Sequence, residues 1–118
     1  MAIDASALAQ IKALDEETGG GLVVELLGLF FEGTPRRIGS LRAAIARGDA
    51  PAVERESHSL KGSSGALGAI DLMNLAGGLE VRARAGDLSD ASSRVDALEA
   101  EFQSASRLLA AERARYLK

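Results

Sequence analysis

Residues 51–68 read PAVERESHSLKGSSGALG, and this stretch predicts the fold class of the chain. Successive residues of a helix turn by about 100°, which places one group of small and apolar side chains on a single stripe. That predicted core stripe consists of Val53, Ser57, Leu60, Ser64 and Leu67. Pro51 suits the first turn of a helix, and Gly68 suits its C-terminal cap. We therefore expect a helix over about Pro51 to Leu67 that packs against other helices.

The outer side of this predicted helix carries His58, the only histidine of the chain. His58 lies about 140° from the core stripe on the helical wheel, and Lys61 lies on the flank nearest to it. Gly62 faces away from the core, and Gly65 also lies off the stripe. A glycine inside a helix costs about 1 kcal/mol relative to alanine, so close packing of a neighbour or access for a partner should explain both. The outward position of Gly62 favours access.

An exposed imidazole beside an ammonium group has the chemistry of a phosphoryl carrier. Near neutral pH, a good fraction of imidazole side chains is unprotonated and therefore nucleophilic. Phosphoryl transfer depends mainly on geometry and charge neutralisation. A solitary exposed histidine is nevertheless an ordinary surface residue in most proteins. The chain has no cysteine and no second histidine, so we expect no metal site. It also has no ATP-binding loop and no nucleophile elbow, so an enzyme with its own ATP site is not expected.

The composition is that of one helical domain spanning residues 1–118. Hydrophobic residues make up 47% and aromatic residues 3%, which favours an aliphatic core. The net charge of −3, without a basic run, argues against a nucleic-acid partner. No apolar run approaches the roughly 18 residues of a membrane helix. With no cysteine and no signal-peptide pattern, we expect a cytoplasmic protein.

Hydrophobic periodicity predicts four further helices around the one that carries His58. They are a short helix capped by Asp4, a long helix from about Leu22 to Arg47, a helix capped by Asp71 and ended by Gly86, and a helix that begins near Ser89 or Asp90. Pro35 should kink or split the long helix. Because short connections imply antiparallel neighbours, the predicted fold is an all-α, antiparallel up-down four-helix bundle with a short additional N-terminal helix.

The segment His58-Ser59-Leu60-Lys61-Gly62-Ser63-Ser64, followed by Leu67-Gly68-Ala69, resembles the motif of histidine-containing phosphotransfer (HPt) domains. These domains are the shuttles of two-component phosphorelays, and the similarity covers about residues 20–110. The resemblance implies that His58 accepts a phosphoryl group from the phospho-aspartate of one receiver domain and passes it to another. It also implies that Lys61 assists electrostatically and that Gly62 gives steric access.

The resemblance implies response-regulator receiver domains or a hybrid sensor histidine kinase as partners of a monomeric chain. No cofactor of its own is expected, and Mg²⁺ is expected on the receiver. Candidates for docking are Val24, Phe31 and Gly65, although burial against the first helix explains Val24 and Phe31 equally well. Two alternatives to this interpretation stay open. The first is a non-catalytic helical adaptor that binds receivers, and the second is the phosphoacceptor segment of a larger hybrid or chemotaxis-type kinase.

Overall fold

The described part of the chain consists of helices joined by short turns. The computed structural model describes residues 9, 10, 13 and 21–116. Within these residues the helices are α1 (Leu22–Ala46), α2 (Ala50–Ala66), α3 (Ile70–Arg84) and α4 (Ala91–Tyr116). Residues 9, 10 and 13 are also helical, whereas Asp4 and most of the predicted N-terminal helix lie outside the described residues.

The four helices enclose an aliphatic core. Each helix packs against its neighbours in the chain, and α1 also packs against α4. The predicted stripe of α2 is buried in full, which confirms the helical register of that segment: Val53, Ser57, Leu60, Ser64 and Leu67. In the described ranges, no helix combines the length and the apolar character needed to cross a membrane. The all-α class predicted from the sequence is confirmed.

Glycines end the first three helices in the same way. Gly48, Gly68 and Gly86 have φ angles of 68°, 75° and 75°, a left-handed conformation that favours glycine. After α2, the Gly68 N–H donates to the Gly65 carbonyl at 3.0 Å, and the Ala69 N–H donates to the Ser64 carbonyl at 2.9 Å. This tight reversal places α3 beside α2, so that residues of the two helices meet on one surface.

One local prediction from the sequence is wrong, and another is wrong in part. The helix α1 continues through Pro35, so it is not split there, whereas a kink at this residue stays a prediction. Buried Thr34 and Ile38, on either side of the proline, hold both halves of α1 on the core, which offsets the lost backbone hydrogen bond. The helix α3 has Ala69 at its N-cap without a side-chain hydrogen bond, and Asp71 lies in its first turn. In that turn the carboxylate still interacts favourably with the positive end of the helix dipole.

Candidate functional site

The imidazole of His58 projects from α2 into solvent. Its side chain is 68% exposed, which confirms the outward direction predicted from the helical wheel. The start of α2 is fixed by Asp49, whose Oδ1 accepts a hydrogen bond from the Ala52 N–H at 3.1 Å. That bond holds the pKa of Asp49 below its usual range. The ring is therefore carried by a capped helix whose opposite face is buried.

A carboxylate from the next helix lies against the imidazole. The side chain of Glu80 in α3 is only 4% exposed, and its Oε2 lies 2.7 Å from Nδ1 of His58. Its Oε1 lies 2.7 Å from Nζ of Lys61, and Oε2 also accepts a hydrogen bond from Arg84 at 3.0 Å. A buried carboxylate is tolerated when its oxygens have such partners. The hydrogen bond from Lys61, followed by that from His58, lowers the pKa of Glu80 although burial opposes this shift.

This contact decides which nitrogen of the neutral His58 ring carries the proton and which carries the lone pair. Because the lowered pKa keeps Glu80 ionised at neutral pH, the carboxylate can only accept a hydrogen bond. Nδ1 of His58 must then carry the proton, and the lone pair of the neutral ring lies on Nε2. Nε2 is on the side of the ring away from Glu80. The arrangement thus presents one unprotonated, accessible nitrogen to a partner.

Two of the cations near His58 are paired with carboxylates, and a third, Arg55, lines the same depression. Lys61, 40% exposed, donates to Glu80. Arg84 joins Glu80 to Glu54, whose Oε2 lies 2.9 Å from Nε of Arg84. An open depression beside the imidazole is lined in part by Glu54, Glu80 and Arg84. The ammonium predicted to lie near His58 is therefore present, but in this structure its hydrogen bond goes to Glu80.

The two glycines of α2 have different surroundings. Gly62 is exposed, and a Cβ atom added there would meet nothing within 4 Å. A Cβ atom at Gly65 would lie 2.9 Å from Sδ of Met73 in α3. Close helix packing therefore accounts for Gly65, whereas no packing contact accounts for Gly62. A docking function for Gly65 stays a prediction.

The other two predicted docking residues lie on α1 and are half-buried. Phe31 packs on the core, and its ring contacts Phe30 edge-on with a centroid distance of 6.0 Å. Val24 lies nearly two turns earlier on the same helix. Their part in docking also stays a prediction.

The sequence analysis missed Glu80 and Arg84 as parts of the site. The pattern of α3 does contain a signal, because Glu80 comes one turn after Ala76 and directly after Leu79, both of which are fully buried. A carboxylate at the edge of such a stripe is close enough to the core to meet a cation of the neighbouring helix. Lys61, on the flank of the α2 stripe, is the side chain of opposite charge that could have been matched to it.

The fold and the site define a class of protein: a small helical domain that presents a single nucleophilic imidazole, oriented by a buried carboxylate, on the surface of one helix. The family model of the Hpt domain matches residues 25–108, and the chain belongs to this family. Its role is histidine phosphotransfer in a phosphorelay, and members of the family are phosphotransfer carriers rather than classical enzymes.

A solved structure agrees with this assignment. The crystal structure of histidine-containing phosphotransfer protein B (HptB) from Pseudomonas aeruginosa PAO1 matches with a TM-score of 0.87 and 34% sequence identity. The match covers 97% of this chain and 96% of that chain. Among curated protein sequences, none matches this chain. The resemblance drawn from the sequence is confirmed by the family model and by this structure.

Proposed function

We propose that His58 carries the phosphoryl group, which it receives from the phospho-aspartate of a receiver domain and passes to another receiver. In the transfer, the Nε2 lone pair forms the N–P bond, the P–O bond to the aspartate breaks, and the aspartate leaves as a carboxylate. The observation that carries this proposal is the contact between Nδ1 and Glu80, at 2.7 Å, on the only histidine of the chain. It leaves Nε2 free for an in-line approach.

The partner supplies the Mg²⁺ and most of the catalytic groups in this proposal. The carboxylate nearest to His58 is Glu80, and both of its oxygens are occupied by Lys61, Arg84 and the imidazole. The chain is proposed to have no ATP site and no cofactor of its own. Lys61 offsets part of the phosphoryl charge, and Gly62 leaves the space through which the receiver approaches Nε2.

A surface next to Gly62 fits the receiver. The exposed small residues Ser63 and Ala66 lead from Gly62 to an apolar groove between α2 and α1. Leu29 lines this groove and is 61% exposed. Because Ser63, which lines the groove, directly follows Gly62, we place the apolar contact of the receiver there, in addition to the predicted positions on α1. Leu29 is the residue of this surface whose truncation should weaken docking most.

The remaining expectations are part of the same proposal. Residues 1–118 form one monomeric, cytoplasmic domain whose helices follow an up-down order with a further N-terminal helix. The short glycine turns and the packing of each helix on its chain neighbours support the antiparallel order. Receiver domains and sensor kinases of phosphorelays are the partners, with neither nucleic acid nor a membrane involved.

The test is phosphotransfer from an isotopically labelled receiver domain. The chain should take up label, and His58→Gln should not. Ser59→Ala is the matched control, since Ser59 follows His58 and lines the same depression, and this variant should be labelled like the parent chain. Label on His58→Gln, or no label on the parent chain from any receiver of the source organism, would reject the carrier function. Binding without labelling would favour the adaptor.

A further inference from the structure

The helix α3 contains an adjacent pair of glycines that no turn requires. Gly77 and Gly78 lie in the middle of α3, outside the set of glycines with positive φ. A glycine inside a helix is disfavoured relative to alanine, so a reason for each is expected in the surrounding structure. The two positions differ in what they face. A Cβ atom at Gly78 would lie 3.0 Å from a guanidinium nitrogen of Arg94, whereas one at Gly77 would lie 3.4 Å from Cδ of Lys61.

The contact at Gly77 lies on the path of the Lys61 side chain. Lys61 crosses from α2 to α3, and its Nζ, two bonds beyond Cδ, ends 2.7 Å from Oε1 of Glu80. Gly77 is three residues before Glu80 and therefore lies on the same side of α3. A methyl group fits at 3.4 Å as an ordinary contact, but a longer side chain would occupy the space of the lysine methylenes.

We propose that Gly77 is a positioning residue: its missing side chain keeps open the path by which Lys61 reaches Glu80. With Lys61 on Oε1, the imidazole of His58 and the guanidinium of Arg84 share Oε2. A side chain that turns Lys61 into solvent frees Oε1, so Glu80 can rotate toward Arg84 and release Nδ1. The consequence for transfer depends on the proposed function of His58, whereas the position of Lys61 does not.

The experiment compares Gly77→Leu with Gly78→Leu, which adds the same side chain one position away, where the atom nearest to the new Cβ is a guanidinium nitrogen of Arg94. The first readout is the ¹³C NMR titration of the Glu80 carboxyl, and the second is the ¹⁵N shifts of the only imidazole. Lys61 is the first cause of the lowered pKa of Glu80, so Gly77→Leu should move that pKa toward its usual value. Gly78→Leu should not move it. Phosphotransfer should slow severalfold in Gly77→Leu and stay at the parent rate in Gly78→Leu.

A double-mutant cycle covers the case in which Gly77→Leu alters packing. In a Lys61→Ala background there is no lysine to displace, so Gly77→Leu should cause no further change in the Glu80 titration. An unchanged titration in Gly77→Leu, or equal shifts in the two leucine variants, would overturn the proposal. The NMR readouts need no receiver, so they decide the position of Lys61 even if His58 proves not to carry phosphate.

Discussion

Replacement of Glu80 by glutamine tests the contact on which the site is built. Glutamine has nearly the same shape, but it has no charge and one acceptor oxygen in place of two. It cannot accept from His58, Lys61 and Arg84 as the carboxylate does. We expect Glu80→Gln to fold, to be less stable, and to transfer phosphate more slowly because Nδ1 is no longer held protonated.

The size of the stability loss follows from the exposure of the partners. A hydrogen bond to a charged group contributes about 1.5–3 kcal/mol, and glutamine lacks one of the two acceptor oxygens, so the loss could reach about 3 kcal/mol. His58 and Lys61 are exposed enough to regain water, at 68% and 40%, and the desolvation cost of the buried carboxylate disappears. We expect Glu80→Gln to lower the free energy of unfolding by about 1–2 kcal/mol. This is less than the loss in a variant that leaves a buried charge unpaired. Urea unfolding followed by circular dichroism measures it.

The pH dependence of this loss has a definite sign. The pKa of Glu80 is lower in the folded state than its ordinary value of 4.5, chiefly because of the Lys61 hydrogen bond. The carboxylate therefore stabilises the fold fully above its unfolded pKa, and this contribution is lost as the pH falls through the folded pKa. The stability difference between the parent chain and Glu80→Gln should be largest at neutral pH and should shrink below pH 4.5. Equal stability at neutral pH, or a difference that persists undiminished in acid, would refute the reasoning.

Four further variants test separate parts of the structure. Gly62→Gln should keep the helical circular dichroism and gain slight stability, yet slow transfer at least tenfold, about 1.4 kcal/mol of barrier; an unchanged time course would count against the access argument. Lys61→Ala should slow transfer less than His58→Gln does, and equal loss would mean that the lysine is indispensable. Asp49→Ala removes the cap of α2 and should cost about 1 kcal/mol in urea unfolding at neutral pH, with a smaller effect in acid because the pKa of Asp49 is lowered. Ser64→Ala should raise the unfolding free energy by about 1 kcal/mol, because the buried Ser64 hydroxyl finds no hydrogen-bond partner among the described residues; a loss of stability would reveal a partner.

The periodicity of the sequence was sufficient to predict what depends on one helix alone. The direction of a side chain on α2 follows from the helical repeat, so the burial of Ser57 and the exposure of His58 could both be predicted. The outward position of Gly62 on α2 was predicted by the same rule. The resemblance to HPt domains rested on this same helix, which explains why the family and the predicted phosphoacceptor could be reached without coordinates.

Contacts between helices could not be predicted in the same way. Whether Glu80 meets His58 depends on the register of α3 against α2, which is set by the glycine turn at Gly68 and by core packing. A carboxylate beside a buried stripe is ordinarily solvated, and its burial becomes favourable only once cations from another helix are known. The continuity of α1 at Pro35 could not be predicted from that helix alone either, because it depends on core packing around the proline.

In the proposed function, the charges of the site affect how His58 releases its phosphoryl group. The cations Lys61 and Arg84 are held by the carboxylates Glu80 and Glu54, and Arg55 is a further cation beside His58. A phosphoryl group on Nε2 then has to compete with Glu80 for Lys61 and Arg84. Tight binding of the phosphorylated state would slow onward transfer, because only interactions stronger in the transition state accelerate it. In the proposed function Glu80 thus has two effects: it orients the imidazole of His58, and it weakens the hold of the chain on its phosphoryl group.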